Sequence, residues 1–396
     1  MAVPQTVPVP QLAWHGDTEM RLTFPDLWEV VPCYMRGYRA PRLGEEAMRR
    51  AFAHTISSER IRDLARGKRE VVILFDDMTR PTRAYELVPY VLEELAEAGV
   101  ADRSIRFVST LGAHGAMNRV DFARKLGEGV LDRFPVYNHC PFQNCTYLGK
   151  TSRGTPVSIN TEVMSCDFKI ALGSIMPHIS AGFSGGCKAI SPGVASIDTI
   201  YANHHAVGGR GSPSPAHPLG GLHPTVGVGK VEDNVMRLDI EEIGKMAGLD
   251  IIVNVVINSK REQVGLFVGD PVAAHRRGVR LAREHYATEL ARDVDILVLN
   301  TGRAPNPLRA TVDETQEDRW HEAYHNQLWS VIQVVNHVLP QMTPRGWGRI
   351  VAVTSASVKQ PMPHHSLSTV FRAGVTAYMK HLANEVGAHG ITANCV

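Results

Sequence analysis

Long apolar runs are missing from this 396-residue chain. None approaches the roughly 20 consecutive apolar residues that a membrane-spanning helix needs, so no membrane partner is expected. A dominant charge is missing too: 42 Lys and Arg against 40 Asp and Glu leave a formal net charge of +2. That near balance gives no electrostatic footing for nucleic acid or an acidic membrane surface. The opening residues, MAVPQTVPVPQLAWHG, have neither a basic n-region nor an apolar h-region and do not read as a secretory signal. Cysteine is sparse and scattered, at 33, 140, 145, 166, 187 and 395. The one close pair, Cys140 and Cys145, has no second pair to complete a zinc knuckle. Reduced thiols in a cytoplasm are expected rather than a disulfide framework. Internal repeats and low-complexity tracts are also absent.

What remains is ordinary in bulk. Hydrophobic residues make up 44% and charged residues 21%, enough to bury a sizeable core, and the length allows two or three domains. The stretch around which the chain is organised is 172–205, LGSIMPHISAGFSGGCKAISPGVASIDTIYANHH. An apolar run at 168–172 reads as the end of a buried strand. It leads through Pro177-His178 to a glycine- and serine-rich turn, Gly182-Phe183-Ser184-Gly185-Gly186, and then to Lys188. Pro192-Gly193 breaks the chain, and an amphipathic run at 194–201 ends at His204 and His205. Glycines let backbone amides approach an anion closely, and a following helix start adds its positive end. Lysine offers a charge or a nucleophilic amine; histidine offers a proton carrier or a metal ligand. The pattern reads as a pocket for a phosphate-bearing cofactor, the alternative being a structural loop with its polar groups in water.

Residues 1–45 read as proline-dotted and irregular, with Arg21-Leu22-Thr23-Phe24 as a strand candidate, and 45–65 has helical spacing. Val71-Val72-Ile73-Leu74-Phe75 suits a strand buried on both faces and ends in the polar turn Asp76 to Pro81. Residues 85–98 form an amphipathic helix closed by Gly99, and 104–109 the next strand, ending in Thr110-Leu111-Gly112-Ala113-His114-Gly115. Such alternation predicts parallel βαβ units whose ligands gather at the carboxyl ends of strands, where both polar turns and Pro177-His178 sit. Residues 207–229 read as a long loop, with His217 and His223 as loop histidines rather than ligands. Helices at 239–248 and 273–290 flank a strand at 251–257. From about Asp295 a strand (295–300), a helix (316–339), a strand (349–354), a helix (369–388) and the opening of another strand (391–396) follow. The expected fold class is α/β, with mixed or parallel sheets and flanking helices. Two domains are expected, 1–290 and 291–396, the second a partial Rossmann-like unit.

An ordered set of motifs over residues 10–290 resembles the N-terminal region of the nickel-dependent lactate racemase family. It comprises Asp77-Met-Thr-Arg80-Pro81, Gly112-Ala-His114, Asn138-His139, Pro177-His178, Ala181-Gly-Phe-Ser-Gly-Gly-Cys-Lys188, Pro192-Gly193 and Asn203-His204. The resemblance implies an isomerase that interconverts a lactate-like 2-hydroxy acid, with cofactor-synthesis proteins as partners. The implied cofactor is a nickel pincer nucleotide, a pyridinium-3-thioamide-5-thiocarboxylate mononucleotide. Lys188 takes the place of the lysine joined covalently to it; from the residue alone, a phosphate-neutralising lysine is the simpler reading. His204 matches the nickel ligand, and neutral imidazole suits Ni(II). Spacing alone does not separate His204 from His205; the family's sixteen-residue step from the lysine selects His204. Ser184, Gly185 and Gly186 lie in the implied cofactor loop.

His114 and His178 match the pair that exchange protons with the substrate hydroxyl. Mirror-image substrates need a base on each side of a shared carbon, and a neutral-range pKa lets either ring serve as acid or base. The implied hydride transfer from the 2-carbon gives a planar 2-keto acid that accepts hydride on either face. Arg80 suits a clamp for a carboxylate or the cofactor phosphate. Asp77 either orients His114 or Arg80 or caps its turn. Gly115 stands where the lactate enzymes commonly carry arginine, which leaves room for a larger 2-hydroxy acid.

Residues 295–396 resemble instead the second half of a short-chain dehydrogenase/reductase. The pieces are Asp295-Ile-Leu-Val-Leu-Asn300-Thr-Gly302, Asn326, Leu339-Pro340-Gln-Met342, Gly346-Trp-Gly-Arg-Ile350-Val, Thr354-Ser355 and His389-Gly-Ile-Thr-Ala-Asn394. No glycine-rich nucleotide turn precedes Asp295, and the family's Tyr-x-x-x-Lys is replaced by Ser368 and Arg372. NAD(P) is therefore not the expected cofactor. The alternatives to a racemase are an NAD(P)-dependent short-chain oxidoreductase and a catalytically impaired remnant that binds the cofactor.

Overall fold

A computed structural model of the chain describes residues 5–11, 18–25, 30, 32–209, 223–288, 293–300, 302, 304–305 and 307–396. They form two compact units, one drawn from Met1–Gly208 and His223–Glu289, the other from Leu290–Val396. The first opens with a ribbon of β1 (Gln5–Pro10) and β2 (Glu19–Phe24), paired antiparallel. The prolines, taken in the sequence as irregular, are accommodated because a two-stranded ribbon has an open edge on which a missing N–H costs nothing. The helical spacing over 45–65 is cut into α1 (Glu45–Ala53) and α2 (Ile61–Leu64). Ile56 between them is drawn off to the sheet, its N–H donating to Val268 O at 2.8 Å.

The unit then runs β3 (Val71–Asp76), α3 (Val88–Glu97), β4 (Ile105–Thr110), α4 (Arg119–Leu126), α5 (Glu128–Leu131) and β5 (Val136–Asn138). A hairpin of β6 (Cys145–Lys150) and β7 (Pro156–Asn160) leads to α6 (Thr161–Met164) and β8 (Phe168–Ser174). Next come the short pair β9 (Pro177–His178) and β10 (Gly182–Phe183), then α7 (Ile197–Tyr201), α8 (Val235–Met246), β11 (Ile251–Ile257), β12 (Gln263–Gly269) and α9 (Ala273–His285). Six strands make one sheet in the order β12-β11-β8-β3-β4-β5, parallel throughout except for the β11–β12 pair. Val71, Ile73 and Phe75 join Phe107, Ile170 and Val253 in the core on one face, while Val72 and Leu74 are buried on the other. Burial on both faces is what a continuous apolar strand requires, each fully buried large side chain contributing about 1.5–3 kcal/mol.

Two helix boundaries differ from the sequence reading. The helix read at 239–248 begins earlier, at Val235, because the Asn234 side chain caps it by accepting the Arg237 N–H at 3.0 Å. The helix read at 273–290 stops at His285, whose ring bonds Ile257 O at 2.9 Å. His223 bonds Thr225 Oγ1 at 3.0 Å, and His217 lies outside the described residues.

The second unit contains β13 (Ile296–Asn300), α10 (Glu317–Ala323), α11 (Ser330–Met342), β14 (Gly348–Val353), α12 (Ser366–Val386) and β15 (Ile391–Cys395). Its three strands are parallel in the order β13-β14-β15, packed through Leu299, Val335, Ile350, Val375 and Met379. The single helix read at 316–339 is three pieces, α10 and α11 being joined by a π-helical segment at Tyr324–Trp329. Among the described residues no helix is long and apolar enough to cross a membrane, and all six cysteines are free thiols.

Candidate active site

All the candidate residues except His204 lie on segments that follow the carboxyl ends of three adjacent parallel strands, β8, β3 and β4. After β3, the buried carboxyl of Asp77 accepts the Thr79 N–H at 2.9 Å and the Thr79 hydroxyl at 2.5 Å through one oxygen. Its other oxygen lies 2.5 Å from His114 Nδ1. Burial alone would raise the Asp77 pKa, but the bonds from His114 and Thr79 outweigh it and hold the carboxyl below its ordinary value. An ionised carboxylate only accepts, so His114 donates from Nδ1, and in the neutral ring Nε2 keeps the lone pair. The His114 loop is tied down at both ends. Gly112 N–H donates to Gly193 O at 2.8 Å, and the Asn138 side chain bridges Met117 N–H and O at 3.1 and 2.8 Å. Asn138 and His139 therefore act as scaffolding: the buried His139 ring is held by Ala195 O and the Asn160 amide.

After β8, His178 is half-buried, and its Nδ1 accepts the N–H groups of Ser180 and Ala181 at 3.2 and 3.1 Å. In the neutral ring the proton then sits on Nε2, the reverse of His114. Burial, followed by the charges of Lys188, Arg80, Arg237 and His204, pushes the His178 pKa down to about 2. Those four charges reach one ring, so the residues from separate loops share one electrostatic neighbourhood. Lys188 is held well below the ordinary lysine pKa by burial, then by Arg237 and Arg80. Arg80 itself leans on Thr79, its Nη1 lying 3.1 Å from Thr79 Oγ1.

The glycine-rich turn is shaped from beneath. Gly182 has φ +76°, and a Cβ there would sit 1.9 Å from Lys230 O, so no other residue fits. Arg237, fully buried on α8, donates to Ala181 O and Gly185 O at 3.2 Å each, and also to Phe183 O. The Gly186 N–H donates to Asn254 Oδ1 at 2.7 Å, and the buried His275 ring donates to Ser184 O at 2.9 Å. Ser184 is turned inward, its hydroxyl donating to Ser174 O at 2.6 Å and accepting Met176 N–H at 3.0 Å. Ser184 and Gly186 thus spend these groups on holding the turn that presents Lys188.

His204 lies in a π-helical segment, Ala202–Val207, that continues α7. Such segments are rare and recur at functional sites. Its register is set by Asn203, whose buried amide donates to Asp239 Oδ2 at 2.8 Å; Asp239 also accepts the hydroxyls of Thr151 and Thr155 at 2.6 and 2.8 Å. The His204 Nδ1 lies 2.9 Å from Ile200 O. A carbonyl only accepts, so the proton is on Nδ1 and Nε2 carries the lone pair that a metal requires. The rival ring, His205, stacks on Tyr201 with centroids 4.2 Å apart. No group of three or more His, Cys, Asp or Glu side chains positioned to hold a metal ion occurs among the described residues.

Sequence reasoning missed Arg237, Asn254, His275 and Lys125. One carried a signal: Asn254 interrupts the apolar run IIVNVVI, whereas Arg237 reads as a charged position of α8. Lys125 and His275 look like ordinary polar positions of charged helices.

The description "Lactate racemase N-terminal domain" matches residues 15–213, and "Enoyl-(Acyl carrier protein) reductase" matches residues 277–396. The lactate racemase of Thermoanaerobacterium thermosaccharolyticum is 29% identical over 295 residues, covering 74% of this chain and 66% of that protein. The lactate racemase of Lactiplantibacillus plantarum is 30% identical over 263 residues, covering 66% and 59%. The chain thus spans about two thirds or less of the length of these two relatives. The solved structure of the Thermoanaerobacterium lactate racemase apoprotein superimposes with a TM-score of 0.62 at 24% identity, covering 89% of this chain and 75% of that one, a likeness of fold. The C-terminal segment is similar to dehydrogenase/reductase SDR family member 4 of Sus scrofa, 29% identical over 110 residues, 28% of this chain and 39% of that protein. With the lactate racemase N-terminal profile matching half of its length, this chain belongs to the lactate racemase family.

Proposed function

We propose that the first unit is the cofactor-holding and proton-transferring half of a 2-hydroxy-acid racemase. One observation carries the reading: two histidines from different strand ends present Nε2 in opposite protonation states, one a lone pair and one an N–H, and the second shares the neighbourhood of a lysine of depressed pKa. His114 Nε2 is an acceptor because Asp77 holds Nδ1–H; His178 Nε2–H is a donor because two amides hold its Nδ1. A hydroxyl on one face meets a base, and an oxygen on the other meets a hydrogen-bond donor. Arg80, whose charge reaches both His178 and Lys188, suits the substrate carboxylate or a cofactor phosphate.

The residues present also fit the nickel pincer nucleotide. A lysine whose pKa is depressed by burial and flanking cations loses its proton more readily and so has a more available nucleophilic amine. A neutral histidine that donates from Nδ1 has its lone pair on Nε2, the nitrogen that would bind a metal. His204 would supply one donor to the metal, the cofactor's own sulfur arms the others. Lys188 and His204 would hold the group, with Gly185, Gly186 and Ser184 framing the turn. When bound, it supplies reversible hydride acceptance at the 2-carbon. The chain's own groups bind the carboxylate, take up the hydroxyl proton at His114 Nε2 and offer the His178 Nε2–H to the substrate oxygen.

The test is co-expression with pincer-making enzymes, followed by intact-mass, metal and polarimetric measurement. The reading expects about one nickel per chain, a mass increase mapping to Lys188, and decay of optical rotation from a single enantiomer of lactate or a larger 2-hydroxy acid. Metal and mass gain without racemisation would leave only a cofactor-binding remnant; neither gain would end the reading.

A further inference from the structure

The side chain of Lys125 is fully enclosed, and its bonds run to the turn that carries Asp77 and Arg80. It projects from α4, the helix that begins directly after the His114 loop and is locked at its start by an Asn118–Asp121 capping box. Its ammonium donates to Asp76 Oδ1 at 2.5 Å, Arg80 O at 2.7 Å and Thr82 O at 3.1 Å, which accounts for all three of its protons. Asp76 is braced in turn by the Thr82 hydroxyl, which donates to Oδ2 at 2.5 Å. All three acceptors belong to the turn that carries Asp77 and Arg80. One cation therefore fastens the turn holding the carboxylate to the helix that follows the histidine.

We propose that Lys125 is a positioning residue that sets the separation and orientation of Asp77 and His114, and so keeps the His114 proton on Nδ1. A buried ammonium is costly and needs its partners in place, so the arrangement is all-or-none rather than adjustable. The Asp77–His114 contact spans 37 residues of sequence, and His114 is half exposed, with 51% of its side chain accessible. A ring so open to water keeps one tautomer only while its carboxylate is held still. Lys125 holds it from the opposite end of the turn. The inference rests on the racemase reading for its functional meaning but not for its test.

The experiment reads the His114 imidazole by long-range proton–nitrogen NMR in the apo chain at neutral pH, with racemase turnover measured separately on loaded protein. Wild type is expected to give a single tautomer protonated on Nδ1. Asp77→Asn, which removes the acceptor, sets the scale for loss of that tautomer. Lys125→Met is expected to move the ring most of the way to that limit and to lower turnover on the order of 100-fold, as an ångström of misplacement does. Lys125→Arg keeps the charge but cannot match three acceptors placed for an ammonium; it is expected to fold and to shift the ring partially. A lysine that only stabilises the fold would lower the melting temperature of both variants and leave the His114 tautomer at its wild-type value, and that result overturns the proposal. If Lys125→Met does not fold, Lys125→Arg decides: a wild-type tautomer there also overturns it. A moved tautomer in a chain that never racemises keeps the positioning role and removes the racemase reading.

Discussion

Replacing Arg237 by Met tests whether the turn before Lys188 is held from beneath. The guanidinium is fully buried and donates to three carbonyls of one five-residue stretch, those of Ala181, Phe183 and Gly185. Methionine fills much of the space but donates nothing, so three buried acceptors lose their partner. Each stranded carbonyl costs about 1–3 kcal/mol. Against that stands relief from burying a cation, which already pulls the Arg237 pKa down to about 10. The balance expected for breaking a buried charged arrangement is a loss of about 3–5 kcal/mol. Urea unfolding with unchanged m-value would measure it, and amide exchange over residues 181–188 would locate it. Removing the cation also takes away one cause of the depressed Lys188 pKa, so the amine moves back toward its ordinary value, burial still acting on it. A loss under about 1 kcal/mol, the worth of a single ordinary hydrogen bond, together with unchanged exchange in the turn would refute the reasoning.

Three further outcomes are expected. His139, His275 and His285 are buried, and burial is the leading cause lowering each pKa. Above the ordinary histidine value of about 6.5 neither folded nor unfolded rings are charged; below it only the unfolded chain takes up these protons. Stability therefore falls as pH drops, by about 1.4 kcal/mol per pH unit for each ring still neutral in the fold, and a urea midpoint that held steady from pH 7 to 5 would contradict this. Gly182→Ala forces φ +76° on a residue with a Cβ and drives that carbon onto Lys230 O, so a loss of at least about 2 kcal/mol is expected in thermal unfolding. In chain loaded by co-expression, His204→Ala is expected to lose nickel while His205→Ala keeps it; the opposite pattern would transfer the ligand to His205.

The parts of this molecule legible in the sequence are those whose signal is local. Val71 to Phe75 is continuous and apolar because both faces of β3 are covered, and the polar turns after β3, β4 and β8 stand where a parallel sheet gathers ligands. His114, His178, Lys188 and His204 stood out because each sits in a short motif, and Lys188, Arg80 and His204 lie near enough for their charges to act on the His178 ring. The groups behind them were not legible. Lys125 and Arg237 look like surface residues of charged helices until tertiary packing closes over them, and apart from Asp76 the acceptors they bond are backbone carbonyls, which carry no residue identity. The break between α1 and α2 was hidden for a similar reason: Ile56 suits a helix, and only the pairing with β12 takes it away. The N-terminal ribbon was misread because proline counts against a strand only where its missing N–H has a partner to lose.

The second unit has reductase-like motifs whose residues are occupied with structure. The Ser355 hydroxyl accepts the Ser357 N–H at 3.2 Å and caps the turn after β14. Arg372, standing where the reductase pattern has lysine, donates to Val353 O at 2.7 Å and Gly302 O at 3.0 Å, and burial lowers its pKa. A guanidinium spent on two carbonyls ties the end of β14 to the chain beyond β13. Ser368, four residues earlier, has an alcohol whose proton is held far more tightly than a phenol's, so it cannot replace tyrosine as a proton donor in hydride chemistry at neutral pH. The groups to which we assign proton transfer, Asp77, His114 and His178, lie instead in the first unit. The racemisation we propose would need a planar intermediate open on both faces, and a base paired with a hydrogen-bond donor would serve that demand, whereas a reductase delivers hydride to a single face and needs only one acid.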